Sequence, residues 1–293
     1  MPLLVRPVIP ALVACSLTAL TGHAAQQGTR FVAVARGVVL DVLVTDRNRP
    51  VSGLRVEDFE VRDNGVRQAI ESIEISNAPL NAVLVLDTSA STAGGLLTSL
   101  TAGTRPFLAG LVREDRVGFV AFSHAVRTRS LAQVGTQANA SLDQAIPAGG
   151  SALRDAIYAA LTLVRGVAGR PVLVVYTDGR DTASWLSEAE LTDELTRSDA
   201  VVYFVVPGGA ERRSILSEMS SATGGRIVPL TNPASLAHEI QQIIHEFRSR
   251  YLITFVPRGV EPSGVHRLDV RVKPQGLQVI ARNSYSLASA RQR

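Results

Sequence analysis

Short apolar runs that alternate with segments of helical spacing constrain this chain more than any other feature. Val83 to Leu86, Val117 to Phe122, Val172 to Tyr176 and Ala200 to Val206 are nearly unbroken Val, Leu, Phe and Tyr, and Arg226 to Leu230 is a shorter run of the same kind. Runs without polar alternation suit strands buried on both faces. Between them, Leu96 to Val112 has helix-like apolar spacing disturbed at Pro106. Ser151 opens a helix with Leu153, Ala156, Ile157, Ala160, Leu161 and Val164 on one face, and Glu211 to Ala222 is a further helix. Beyond Pro233 a long helix carries Leu236, Ile240, Ile243, Ile244 and Phe247. Strand and helix alternating at this spacing require right-handed crossovers, which predicts an α/β, Rossmann-like, doubly wound and mostly parallel sheet. Ala125 to Leu131, reached by a tight connection at Ser123-His124, reads as an edge strand.

The two flanks read differently. Phe31 to Thr45 and Leu54 to Val66 are β-prone, with Asn64-Gly65 placed as a hairpin turn. Tyr251 to Val256, Val265 to Val272 and Leu277 to Arg282 are again β-prone, punctuated by Gly and Pro. Each flank alone has unpaired edges, so the two are expected to pair into one small β module. The organisation read from the sequence is a leader at 1–25, an N-terminal β segment at 26–79, the α/β domain at 80–248 and a C-terminal β segment at 249–293.

Arg6 followed by V-I-P-A-L-V-A-C-S-L-T-A-L and small residues at Gly22 to Ala25 reads as a secretory signal, too short and proline-broken for a membrane span. Cleavage after Ala24 or Ala25 would release a soluble protein in the periplasm or outside the cell. Leu12-Val13-Ala14-Cys15 also resembles a bacterial lipobox, in which Cys15 becomes a lipid-anchored first residue. Cys15 is the single cysteine, so no internal disulfide forms and packing must supply the stability. A hydrophobic content of 46% is ample for that. The 30 basic and 26 acidic residues are dispersed without a run of Lys or Arg, which argues against a nucleic-acid partner.

The first buried run stops at Asp87 and gives way to Thr88-Ser89-Ala90-Ser91. Asp87, Ser89 and Ser91 alternate, so an extended turn could aim one carboxylate and two hydroxyls at one point; these are hard oxygen donors suited to Mg²⁺ or Ca²⁺. The same residues could equally cap a following helix. Two later stretches carry related chemistry: Gly149-Gly150-Ser151-Ala152-Leu153 sets a hydroxyl at a helix start, and Thr177-Asp178-Gly179 ends another buried run. Together, D-x-S-x-S, G-G-S-x-L and T-D-G, in this order across roughly residues 80 to 247, resemble the von Willebrand factor type A domain. The flanking β segments resemble those of bacterial secreted "VWFA-related" proteins. The resemblance implies a metal-ion-dependent adhesion site formed by Asp87, Ser89, Ser91, Ser151 and Asp178, holding Mg²⁺ (or Ca²⁺ or Mn²⁺). Ser151 departs from the family's usual Thr and keeps the hydroxyl. The implied partner is a protein ligand presenting an acidic residue.

Other classes fit less well. There is no G-x-S-x-G elbow, no G-x-G-x-x-G after the first strand, and Ser89 stands where a phosphatase D-x-D would have its second Asp. The expectation is therefore an exported binding module without enzymatic activity. The alternatives are a structural or assembly protein with a metal-steadied or vestigial site and, further off, a metal-assisted hydrolase. His238 and His245 lack the H-E-x-x-H spacing and read as a solvated helix face, and His124 as an exposed turn residue. Asp181 could add charge near the metal but is expected to cap the next helix, and Trp185 could form an apolar lip beside the metal, with core packing its default.

Overall fold

The structure is a computed structural model, and it describes residues 37–89, 107–108, 110–134, 149–208 and 214–287. The leader with Cys15, site residue Ser91 and most of the helix expected at 96–112 lie outside the described residues. From the latter, Phe107 and Leu111 are seen buried in the core.

The N-terminal flank forms β1 (Val38–Asp46), β2 (Arg49–Pro50), β3 (Phe59–Asp63), β4 (Val66–Gln68) and β5 (Ile70–Ile75). The central region follows as β6 (Leu80–Asp87), β7 (Arg116–Phe122), β8 (Val126–Gln133), α1 (Leu153–Val164) and β9 (Arg170–Tyr176). It continues through α2 (Glu188–Arg197), β10 (Val201–Pro207), α3 (Ser214–Thr223), β11 (Ile227–Leu230) and α4 (Leu236–Arg248). The C-terminal flank adds β12 (Tyr251–Phe255), β13 (Gly264–Val272), β14 (Gln278–Ile280) and β15 (Ser284–Leu287).

The central sheet has the order β11-β10-β9-β6-β7-β8. All neighbours are parallel except β7 and β8, which pair antiparallel at the edge. Every residue of β6 is buried, because successive side chains serve opposite faces and both faces are covered. Val83 and Val85 pack with apolar residues of α1, α2 and α3. Leu84 and Leu86 pack with Phe107 and with Leu236, Ile240, Ile243, Ile244 and Phe247 of α4. His238 and His245 lie on the exposed side of α4, as their spacing predicts. Among the described residues no helix is long and apolar enough to cross a membrane.

The flanks do form a β module, as expected. One antiparallel sheet runs β14-β1-β12-β5, with β2 on β1, and the other runs β15-β13-β3-β4. Val42 pairs with Tyr251 and Val61 with Val270, so strands from both ends of the chain pair within each sheet. Between the sheets lies a core of Leu40, Val42, Val44, Phe59, Ile253, Phe255 and neighbours, with Phe59 edge-on to Tyr251 at 5.3 Å. The hairpin at Asn64-Gly65 is as the dipeptide predicts, both residues having positive φ between β3 and β4. A polar cluster not visible in the sequence lies beside this core: buried Asp63 takes hydrogen bonds from Tyr285 Oη at 2.6 Å and meets His266 Nδ1 at 2.8 Å, joining β3, β13 and β15.

Buried arginines join the module to the central sheet. Arg282 donates to the carbonyls of Leu195 (3.3 Å) and Thr196 (3.1 Å) in the last turn of α2. Arg170 donates to Phe247 O (3.1 Å) at the end of α4 and to the carboxylate of Asp41 on β1, with its guanidinium 4.6 Å above the Phe247 ring. Arg250, wholly buried, donates to Gly224 O just past α3 (2.7 Å) and to Tyr203 Oη (3.0 Å). Carbonyls in a helix's last turn have no partner within the helix and carry partial negative charge, which guanidinium donors satisfy. Close packing accompanies this seal: a Cβ on Gly225 would lie 1.8 Å from Val202 O, so only glycine fits there. Removing one member tests the seal. Arg282→Ala should remove the side-chain donor from both α2 carbonyls, leaving Leu195 O only the Ser198 N–H, and lower stability by about 1–3 kcal/mol in urea titration; an unchanged midpoint would show that the seal carries no energy.

Candidate functional site

Parallel sheets bind ligands at the carboxyl ends of their strands, where the strand order reverses direction. Here that point is β6, which has β7 on one side and β9 on the other. Asp87 is the last residue of β6, and Asp178 lies just past the end of the adjacent β9.

The backbone after β6 is fixed by Thr88, whose N–H and hydroxyl both donate to Phe122 O at the end of β7, at 2.7 and 2.9 Å. Asp87 is fully buried, and its carboxylate gathers groups from three loops. Ser89 N–H donates to Oδ1 at 3.0 Å. The hydroxyls of Thr177 and Ser151 donate to Oδ2 at 3.0 and 3.4 Å. Thr177 Oγ1 in turn accepts Gly179 N–H at 3.0 Å, which shapes the turn carrying Asp178. Asp178 accepts its own Asx-turn bond from Arg180 N–H at 2.9 Å and pairs with the Arg180 guanidinium at 3.5 Å.

The Ser151 loop is held between two others. Ala152 N–H donates to Ser123 O at 2.8 Å, while Ser151 O accepts Thr182 and Ala183 N–H at 2.8 and 3.0 Å. Ser151 N–H donates to Thr182 Oγ1 at 3.0 Å. Contact is so close that a Cβ on Gly150 would stand 2.6 Å from Thr182 Oγ1. His124 is solvent-exposed as expected, yet it lies against the glycine turn, since a Cβ on Gly149 would meet its Nδ1 at 2.5 Å.

Electrostatically the site concentrates negative charge in a dry setting. Burial pushes the Asp87 carboxyl above the usual carboxylate range; hydrogen bonds from Ser89 and Thr177 oppose this, and nearby Asp178 reinforces it. Tyr176, beneath both carboxylates at the end of β9, is pushed up to about 12, first by burial and then by Asp87 and Asp178. Carboxylate and hydroxyl oxygen donors are what a hard divalent cation requires. Among the described residues no group of three or more His, Cys, Asp and Glu forms a metal cluster; the donor set here is two carboxylates with hydroxyls.

Of the residues singled out from the sequence, Asp87, Ser89, Ser151 and Asp178 converge on this end of the sheet, and Ser91 lies outside the described residues. Thr177 was missed although it belongs to the T-D-G run, because its side chain turns back toward Asp87. Two expectations are corrected. Asp181 does not cap the following helix: its Oδ2 accepts Arg154 N–H at 2.9 Å, in the first turn of α1. α2 has its own capping box, with Glu190 N–H on Ser187 Oγ (3.3 Å) and Ser187 N–H on Glu190 Oε2 (2.8 Å). Trp185 does not pack in the core and is 96% exposed.

The class defined here is an open, doubly wound α/β sheet with a carboxylate–hydroxyl cluster at its switch point. More narrowly, the chain belongs to the von Willebrand factor type A domain family, whose model matches residues 81–243, more than half its length. No curated protein sequence matches it. Among solved structures, a von Willebrand factor type A protein from Catenulispora acidiphila superposes with a TM-score of 0.51 at 11% identity, covering 87% of this chain and 74% of that one. The vWF domain of the type V pili tip protein Mfa5 from Porphyromonas gingivalis gives 0.50 at 11% identity, over 64% of this chain and 99% of that one. Proximal thread matrix protein 1 from the mussel byssus gives 0.50 at 14%, over 62% and 49%. At these identities the likeness is one of fold.

Burial of Asp87 predicts an effect of charge removal. Its proton is held more tightly in the folded than in the unfolded chain, so the native state weakens as pH rises through the raised pKa. Without added metal, Asp87→Asn should therefore melt at a higher temperature than wild type near pH 7. That advantage should shrink as the pH falls below the usual carboxylate range, where the wild-type group is protonated too. Melting curves that coincide at both pH values would contradict the burial argument.

Proposed function

We propose that this chain is an exported, metal-ion-dependent protein-binding module of the adhesion type. Asp87, Ser89, Ser91, Ser151 and Asp178 would hold a divalent ion, with Mg²⁺ the expected species and Ca²⁺ or Mn²⁺ able to replace it. The observation that carries this reading is the convergence of hydroxyls from two distant loops, at Ser151 and Thr177, on one buried carboxylate at the switch point. Such a constellation is costly to bury unless a charge of opposite sign comes to it.

A bound ion would supply a coordination position for a carboxylate of the partner. Mg²⁺ is held by few protein ligands and keeps exchangeable waters, and two carboxylates leave it receptive to a further anionic oxygen. The protein's own part is to fix the donors. Thr88 anchors the first loop on β7, Thr182 anchors the Ser151 loop, and Gly179 N–H holds Thr177 in place. The reading includes no catalytic step. Export is supported by Arg6 and the apolar, small-residue-terminated stretch after it, with lipid attachment at Cys15 as the second route through the same segment.

Calorimetry with Mg²⁺ tests the site directly. Wild type should bind one ion, Asp87→Ala should bind none, and Ser151→Thr should bind as well as wild type or better. Ion at about one hundred times its dissociation constant should add roughly 2.7 kcal/mol of stability, visible as a rise in melting temperature. Absence of divalent-ion binding in wild type, or equal binding by Asp87→Ala, would overturn the assignment. A pull-down from exported proteins of the source cell that survives chelator would instead favour a role in which any metal only steadies the loops.

A further inference from the structure

Trp185 is the sole tryptophan of the chain and, among the described residues, the most exposed large apolar one: 96% of it faces solvent, against 65% for Val265 and 49% for Val39 and Val112. An indole left in water forgoes the largest apolar burial available to any side chain. A frayed loop tip would explain that cheaply, but this backbone is fastened. The Asp155 carboxylate accepts Trp185 N–H at 3.0 Å on one oxygen and Leu186 N–H at 2.9 Å on the other. The Asp181 carboxylate accepts Ser184 N–H at 3.2 Å and Ser184 Oγ–H at 2.7 Å, besides Arg154 N–H. Ser184 Oγ in turn accepts Arg154 N–H at 3.1 Å. Leu186, the next residue, packs against the core beneath α1 and α2. Two carboxylates and an apolar anchor thus fix the one position whose side chain is left outside.

That position borders the candidate site. Its loop begins at Asp178, and Ala183 N–H donates to Ser151 O, so Trp185 is two residues of chain, at most about 7 Å, from a residue bonded to the Ser151 loop. Arg180, on the same loop, keeps 63% of its side chain exposed while pairing with Asp178. With a divalent ion balancing Asp87 and Asp178, Arg180 adds positive charge to this face, and Trp185 sets an indole on a fastened backbone beside it. Trp and Arg side chains dominate the energetics of many protein interfaces, and Trp has few rotatable bonds to immobilise when it is covered.

We propose that Trp185 and the metal face form one recognition surface, and that its occupant is an extended segment of a partner protein carrying an acidic residue with a large apolar side chain within about three positions of it. Extended chain advances about 3.3 Å per residue, so three positions reach about 10 Å, beyond the at most about 7 Å of chain between Trp185 and Ala183, whose N–H is bonded to Ser151 O. The inference rests on the metal-site reading above for the acidic half and on Trp185 for the apolar half.

A displayed library of random dodecapeptides, panned on the full exported chain in Mg²⁺ and eluted with chelator, tests both halves separately. Wild type should enrich Asp or Glu with Phe, Tyr, Trp, Leu, Met or Pro within three positions. Trp185→Ala should keep the acidic requirement, lose the apolar preference and bind a selected peptide about tenfold more weakly or worse, while Trp185→Phe keeps most of the affinity. Because the chain has one tryptophan, a saturable blue shift of wild-type emission on adding the selected peptide reports coverage of Trp185 without any substitution; for this readout the peptide is one with no Trp. Chelator-sensitive acidic peptides with no apolar preference, no emission shift and equal affinity for Trp185→Ala would overturn the inference and leave the metal reading intact. Peptides that bind Asp87→Ala and wild type alike, with or without Mg²⁺, would overturn both.

Discussion

Helix polarity is the constraint from which the rest of this structure follows. In a parallel α/β sheet the helices run opposite to the strands, so their carbonyl ends gather where the strands begin. Here Arg282, Arg170 and Arg250 close the ends of α2, α4 and α3 with buried guanidinium groups. A hydrocarbon lid would have removed these side-chain donors, at a cost of about 1–3 kcal/mol for each carbonyl left bare. The β module can therefore pack against this end of the sheet because it and its connections bring the donors. Asp115 performs the complementary task nearby: its buried carboxylate takes Leu80 N–H (2.8 Å) and Val112 N–H (2.7 Å) and pairs with Arg248 at the end of α4.

Sealing one end leaves the other for function. At the carboxyl ends of the strands the loops are joined by hydroxyls, Asp carboxylates and short backbone bonds. Gly150 lets the Ser151 and Thr182 segments touch, and Thr88 ties the end of β6 to β7. The same few ångströms bring Asp87 under Thr177 and Ser151. A site assembled from three loops on a rigid sheet keeps its donors in register even though no two of them are neighbours in an element.

Much of this was legible in the sequence because burial on both faces writes itself as unbroken apolar runs. Val83 to Leu86 and Val172 to Tyr176 announce the central strands, and Asp87 and the Thr177-Asp178 pair stand where those runs stop. Ser151 and the assignment of these residues to one candidate site came from the resemblance of D-x-S-x-S, G-G-S-x-L and T-D-G to the family, not from periodicity. What was not legible depended on partners remote in the chain. Arg250 reads as a polar linker residue, yet it is wholly buried because Tyr203 and Gly224 O happen to face it. Asp63, His266 and Tyr285 give no hint of meeting until β3, β13 and β15 are aligned. Asp181 and Trp185 misled for one reason: cap and core are the commonest fates of Asp before a helix and of Trp anywhere. The loop instead folds back onto α1, which takes the carboxylate and turns the indole outward.

The interleaving of both chain ends in the β module also governs the order of assembly. Tyr251 Oη donates to Val51 O, a contact between residues 200 apart, and β1 gains its first long-range strand partner only when β12 exists. Loop closure on that scale costs entropy that is recovered only after the ends meet, and contacts of high sequence separation form late. A chain delivered N-terminus first must therefore hold its opening strands unpaired until nearly all of it has arrived. Strand edges exposed in that interval are open to wrong partners, and the early folding of the central sheet between them shortens the search by bringing residues 79 and 249 to the same end of one rigid body.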